Sequence, residues 1–218
     1  MNEDVIAIFP LPNVVFFPKT ILPLHIFEPR YCEMIRDTIK SRQLIGMFLL
    51  KDGWQEDYYG NPPIHSVGCA GEMIHIESLP EGKYDIVLRG LYRARPLEIV
   101  QEFPYRKARV EVLSDATNVE NELVETMKKK LFGTFQKLVS LASPEIQVPE
   151  MKDTDFAEIV NQIATDLPME LETRYNLLRL DDVYVRSEAV FELLKKRISV
   201  LDWTSRFAHL RPEDPNQN

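Results

Sequence analysis

Cysteine is scarce in this chain: there are two among 218 residues, Cys32 and Cys69, and they form no C-x-x-C pair. That argues against a disulfide scaffold and for a reducing, cytoplasmic setting. Long apolar runs are missing too, so no membrane-spanning helix is expected, and the acidic start MNEDVIAIFPLP lacks the basic and apolar regions of a secretory signal. The four histidines, His25, His65, His75 and His209, have no zinc-type spacing with each other or with cysteine, so no metal site is expected. The phosphate cradle G-x-x-x-x-G-K-[ST] is also absent. Gly82-Lys83 is followed by Tyr84, and Glu77 occupies the first glycine position. No cofactor is implied. Nor does any pattern single out a catalytic residue: Cys32 falls on the apolar face of an expected helix, Cys69 lies between Gly68 and Ala70 in an expected strand, and no carboxylate pair is marked.

What remains is an ordinary globular composition, 44% hydrophobic and 28% charged, with a net charge of −8 that disfavours non-specific nucleic-acid binding. Up to Leu113 the pattern is mainly β. Short runs rich in Val, Ile, Leu and Phe lie near 5–9, 14–17, 21–27, 44–50, 64–78, 83–100 and 105–113, with one helix expected over 29–41. After Leu113 the period turns helical: Leu123, Met127, Leu131, Phe135 and Leu138 form one stripe, and Phe156, Ile159, Val160 and Ile163 another. Asp155 with Glu158 reads as a capping box, and Asp181 or Asp182 as the cap of a last helix bearing Val190, Leu194 and Ile198. The expected division is a β domain over 1–113, a helical subdomain over 114–205 and a flexible tail over 206–218. The helical part carries most of the negative charge, with 13 basic and 19 acidic residues after Leu113 against 13 and 15 before it.

The densest signal is FPLPNVVFFPKTILPLHIFEPRY, residues 9–31, with five prolines among apolar positions. Pro10, Pro12, Pro18 and Pro23 lack an amide donor, so strands here are short, edge-like or bulged. Pro29, just after Glu28, suits the first position of a helix.

This run, with Gly46-Met47, Gly68 and the Gly90-Leu91-Tyr92-Arg93 stretch, resembles the N-terminal domain of the ATP-dependent Lon proteases. Lys19 stands where that family commonly has glycine. The resemblance implies an α+β fold: a PUA-like, mainly antiparallel β domain with one helix, followed by a C-terminal helical bundle. It further implies a non-catalytic module that recognises unfolded or partner polypeptides. With no ATPase or protease motif in the sequence, a stand-alone recognition protein is expected.

Two sets of side chains are candidate contacts. The loop 51–63 holds Trp54, Tyr58 and Tyr59 between turn residues, and aromatic rings on loops offer large rigid contact area. Phe17 joins them, although strand neighbours Phe16 and Phe17 face opposite sides and one is expected inside. The alternative is an anion-binding stripe for RNA, made by Arg89, Arg93 and Arg95 at one strand parity with Arg106 from the next strand. The competing reading of that stripe is an ion-paired, solvated face. Oligomeric state and the identity of any client are open at this level.

Overall fold

The computed structural model describes residues 3–149 and 154–206. Strand β1 (Glu3–Leu11) is followed by β2 (Ile21–Ile26), helix α1 (Pro29–Ser41), β3 (Ile45–Leu49), β4 (Gly68–Ser78), β5 (Tyr84–Gln101) and β6 (Lys107–Leu113). Four helices follow: α2 (Asn121–Ala142), α3 (Phe156–Asp166), α4 (Leu171–Arg179) and α5 (Val183–Arg206). This is the α+β architecture that the sequence resemblance implied. The expected tail lies, beyond Arg206, outside the described residues.

The strands run in the order β2-β5-β4-β3-β1-β6, and β6 also pairs with β5, so five of them close into a barrel. All pairings are antiparallel except β1 with β3, which α1 connects as a crossover. Closure removes free edges from those five strands. The barrel interior holds Ile6, Ile8, Phe48 and Val110 with the small Ala70, Ala94 and Ala108, a mixture that fills a narrow bore. A second cluster, Ala7, Phe9, Ile45 and Met47 with Tyr31, Cys32, Met34 and Ile35, packs α1 against the outside of the wall.

Strand β5 is long enough to serve two partners along one edge. Its first half, from Tyr84 to Arg89, pairs with β2, and its second half, from Arg93 to Gln101, pairs with β6. The change of partner falls at Gly90, whose carbonyl accepts from the Lys19 amide at 2.8 Å and whose amide donates to the Thr20 carbonyl at 3.0 Å. The Phe17-Pro18 backbone crosses here so closely that a Cβ on Gly90 would stand 2.2 Å from the Phe17 carbonyl oxygen. Only glycine fits such an approach.

The prolines behave as their chemistry requires. The 14–17 stretch, expected as a strand, joins no ladder, and Pro12 and Pro18 on either side keep pairing from running on through it. Since Gly90 donates to Thr20, alternation puts Pro23 at a non-bonded position opposite Val87, so its missing amide faces the open edge of β2. Pro29 opens α1 directly after Glu28, and the helix ends on Arg42 in the left-handed conformation.

The helical part shares its core with the barrel. Val15, Phe17, Leu49 and Val67 from the β region join Leu131, Phe135, Ile159, Val160, Ile163, Tyr175, Leu178, Val190 and Leu194 in one buried cluster. Asp182 caps α5, accepting from the Tyr184 amide at 2.7 Å and the Val185 amide at 3.2 Å. Its neighbour Asp181 instead reaches back to the barrel and binds Arg93.

Candidate functional site

In the loop after β3, Gly53, with a φ of 82°, starts a 3-10 turn over Trp54–Asp57. Asp57 then holds the turn shut: its side chain accepts from the Asn61 amide at 3.1 Å and its carbonyl from the Gly60 amide at 2.9 Å. Tyr58 ties this loop to the start of α1. Its hydroxyl donates to Glu28 Oε1 at 2.5 Å, while the Arg30 guanidinium donates to the Tyr58 carbonyl at 3.1 Å and lies over the Tyr58 ring. Desolvation, and then the bond to Glu28, push the Tyr58 phenol above its ordinary pKa.

The three loop aromatics therefore have different surroundings. Tyr58 is an anchor. Tyr59 packs edge-on against it and is 85% exposed. Trp54, half-buried, lines a cleft of about 610 Å³ between the barrel and α4, a volume within the usual range for ligand pockets. The barrel side of the cleft is built from Pro12, Leu49, Leu50, Lys51, Asp52, Trp54, His65 and Ser66. The helix side is one face of α4, with Leu171, Glu172, Tyr175, Asn176 and Arg179 at helical spacing.

His65 and Tyr175 meet across this seam with ring centroids 4.2 Å apart. Backbone bonds fix the barrel wall beneath them: His65 N–H to the Leu49 carbonyl at 2.8 Å, and Lys51 N–H to the Pro63 carbonyl at 2.9 Å. Desolvation lowers the His65 pKa, and the positive charges of Lys51 and Arg179 act in the same direction against the opposing Asp52. The imidazole is therefore held toward its neutral form.

Two expectations from the sequence require correction. Phe17 is fully buried and cannot contact a partner, because the side opposite Phe16 is covered by the helical bundle; Phe16 lies in the barrel-α1 cluster and Phe17 in the helical one. The arginine stripe is not a shared surface either. Arg93 is fully buried, held by Asp115, Asp181, the Ser114 carbonyl and the Leu178 carbonyl. Arg106 is buried as well and donates to the Pro62 carbonyl at 2.9 Å. Arg89 and Arg95 are exposed, but each is matched by a cross-strand carboxylate: Arg89 Nε lies 2.9 Å from Glu72 Oε1, and Arg95 Nη1 2.7 Å from Glu111 Oε2.

Missed in the sequence was the α4 wall of the cleft, with Glu172, Tyr175 and Arg179, and His65 opposite. Their helical spacing made a face visible in principle, but nothing local says what that face abuts. Among the described residues no group of His, Cys, Asp and Glu side chains could hold a metal ion, and Cys32 and Cys69 are free and buried. Burial pushes both thiols above the ordinary cysteine range. No helix among the described residues is long and apolar enough to cross a membrane.

Comparison with known proteins gives a consistent result. The model of the ATP-dependent protease La (LON) substrate-binding domain matches residues 5–196. Lon protease 2 of Myxococcus xanthus is 30% identical over 207 residues, covering 93% of this chain and 25% of that protein. Lon protease of Anaeromyxobacter dehalogenans is 29% identical over 206 residues, covering 93% and 24%. The chain thus spans about a quarter of the length of these curated relatives. Among solved structures, the N-terminal domain of Mycobacterium avium complex Lon protease superposes with a TM-score of 0.64 at 13% identity, covering 88% of this chain and 98% of that one. A Lon N-terminal domain protein from Xanthomonas campestris does so with a TM-score of 0.60 at 20% identity, covering 87% and 98%.

Proposed function

Because the chain belongs to the LON substrate-binding domain family, we propose that it is a non-catalytic polypeptide-recognition module working in the cytoplasm, and that clients dock in the cleft between the barrel and α4. The observation that supports this reading is the cleft itself: about 610 Å³, with aromatic rings from both sides and charged groups at its margins. It lies where two structural units meet, a common location for binding sites. Trp54 and His65 supply ring surface for an apolar side chain, and Tyr59, exposed further along the loop that carries Trp54, is a further contact. An unfolded segment, whose apolar side chains are uncovered, is the class of ligand that gains most from such a surface.

Trp54 makes the test direct. In a Trp203→Phe background Trp54 is the single tryptophan, and titration with a reduced, carboxymethylated and permanently unfolded polypeptide should change its emission saturably. Followed by isothermal titration calorimetry, because the variant lacks the reporter ring, Trp54→Ala plus Tyr59→Ala should weaken binding at least tenfold, as expected for loss of aromatic anchors. Binding that is unaffected by the double substitution places the client elsewhere and rejects this site.

A further inference from the structure

Three arginines are buried among the described residues, and they differ in what faces them. Arg93 meets Asp115 and Asp181, and Arg186 meets Asp115. Arg106, 8% exposed, forms no ion pair among the described residues; its one hydrogen bond there runs from Nη1 to the Pro62 carbonyl at 2.9 Å. An unpaired cation on the surface keeps its water, but a buried one has lost it, which is why buried charges are ordinarily paired. Burial accordingly presses the Arg106 pKa downward.

Arg106 lines a small recess that shares no residue with the barrel-α4 cleft. The first turn of α1, the end of the loop 51–63 and the β5–β6 connection meet there. Tyr31 lines it too; this residue is 5% exposed, and its hydroxyl makes no hydrogen bond among the described residues. Both side chains are held from behind: the Ile8 amide donates to the Arg106 carbonyl at 2.8 Å, and the Tyr31 ring packs on Phe9 with centroids 4.3 Å apart. Desolvation pushes the Tyr31 phenol up to about 12, so it stays protonated and able to donate. Neighbouring groups are committed elsewhere, Arg30 to Glu28 and the Tyr58 carbonyl, and the Tyr105 hydroxyl to Asp37 at 3.0 Å. Glu102 also lines the recess but is exposed to water and does not pair with Arg106.

We propose that this recess is a carboxylate-binding site, with the Arg106 guanidinium and the Tyr31 hydroxyl as its donors. Its volume of about 20 Å³ holds one water-sized group, so a single carboxylate oxygen enters while the rest of the ligand stays outside. The oxygen supplies the buried guanidinium with the counterion that Arg93 and Arg186 already have. Outside, the exposed rings of Tyr59 and Phe103 line the recess and offer apolar surface to the stem of the ligand. Polypeptides carry the group on Asp and Glu side chains and at the chain end. The site does not depend on the reading of the cleft.

The test titrates the isotope-labelled protein, at constant ionic strength, with N-acetylaspartic amide for the side chain, N-acetylglycine for the chain end and N-acetylasparagine amide as the uncharged control. Saturable shifts of the Arg106 Nε–H and of the Gly60 and Asn61 amides are expected with one or both carboxylates and not with the control, and the tighter of the two names the source. Arg106→Gln should weaken binding about tenfold or more, and Tyr31→Phe, which keeps the ring, about threefold. Glu102→Gln should tighten it, because an opposing charge leaves the mouth. If Arg106→Gln does not fold, the other two variants decide. The proposal is overturned by an equal response to the asparagine control, by affinities that none of the variants changes, or by chloride displacing the carboxylate at equal concentration, which assigns the recess to a simple halide. The absence of any saturable shift overturns it as well, since the recess then holds water only.

Discussion

Arg93 of β5 and Arg186 of α5 converge on one carboxylate: Arg93 Nε lies 2.7 Å and Arg186 Nη2 3.0 Å from the same oxygen, Asp115 Oδ1. Both guanidinium groups are fully buried. Arg186 also donates to Asn161 Oδ1 at 2.8 Å, and Asn161 Nδ2 donates to the Pro18 carbonyl at 3.1 Å. The network therefore runs from the proline-rich segment through α3 and α5 to the barrel wall. It fixes the orientation in which α4 faces Trp54 and His65, so the shape of the cleft depends on it.

Replacing Asp115 by Ala leaves two buried guanidinium groups without their shared counterion. The loss should be about 3 kcal/mol or more in urea unfolding, because breaking a buried pair strands its partner. Glu111→Ala, which frees the exposed Arg95, should cost less than about 1 kcal/mol. Similar costs for the two would contradict the structural weight given to Asp115.

Gly90→Ala should be among the more damaging small substitutions. Its added carbon meets the Phe17 carbonyl and the Pro18 backbone, which cannot rotate away as a side chain can. Overpacking of this kind costs about 1–3 kcal/mol or displaces the crossing segment, and circular dichroism melts would register it as a lowered Tm. An unchanged Tm means that the Phe17-Pro18 crossing is looser than described.

Lys19 occupies a backbone position with φ of 64°, a left-handed conformation that favours glycine. Two effects oppose each other there. Lys19 Nζ bonds Asp155 Oδ2 at 2.6 Å, but the pair is half exposed and worth less than about 1 kcal/mol. Relief of the left-handed backbone by glycine is worth about 1 kcal/mol. Lys19→Gly should thus equal or exceed the wild type in stability, while Lys19→Ala, which loses the ion pair without gaining the backbone, should fall about 1 kcal/mol below Lys19→Gly. Equal urea midpoints for the two variants would refute the conformational argument.

His65 gives the protein a pH dependence of known sign. Its pKa in the folded protein lies below the ordinary 6.5, so the unfolded chain takes up the proton first as pH falls. The contribution of neutral His65 is fully present above pH 6.5 and is lost as pH falls toward the folded value. His65→Gln should flatten the stability profile between about pH 7 and 5. If the variant keeps the wild-type slope, the imidazole is not desolvated against Tyr175 and Lys51.

Much of the fold was legible in local pattern. Alternation along β5 correctly separated Ile86 and Leu88 from Arg89, and the Glu28-Pro29 pair marked the start of α1. Phe17 and Arg93 show where that reading stops. Alternation said only that one of Phe16 and Phe17 faces inward and that Arg93 shares a side with Arg89 and Arg95, not what covers either side, and the helical bundle lies over both Phe17 and Arg93. The same limit applies to the cleft: Trp54 stood out as an aromatic on a loop, whereas His65 and Tyr175 belong to one site only because residues 110 positions apart are brought together by the docking of α4. At Lys19 the sequence marked only a departure from the glycine that the family resemblance implied, and the positive φ emerges from the structure.

Amide hydrogen exchange with and without a saturating, permanently unfolded polypeptide tests the central claim most directly. The added protection should concentrate in three separate stretches, 49–54, 65–66 and Leu171–Arg179, which meet only in the folded cleft. Protection confined instead to the open β2 edge at Ile21–Ile26, or to the exposed apolar side chains from Leu97 to Phe103, would contradict the assignment of the cleft as the docking site.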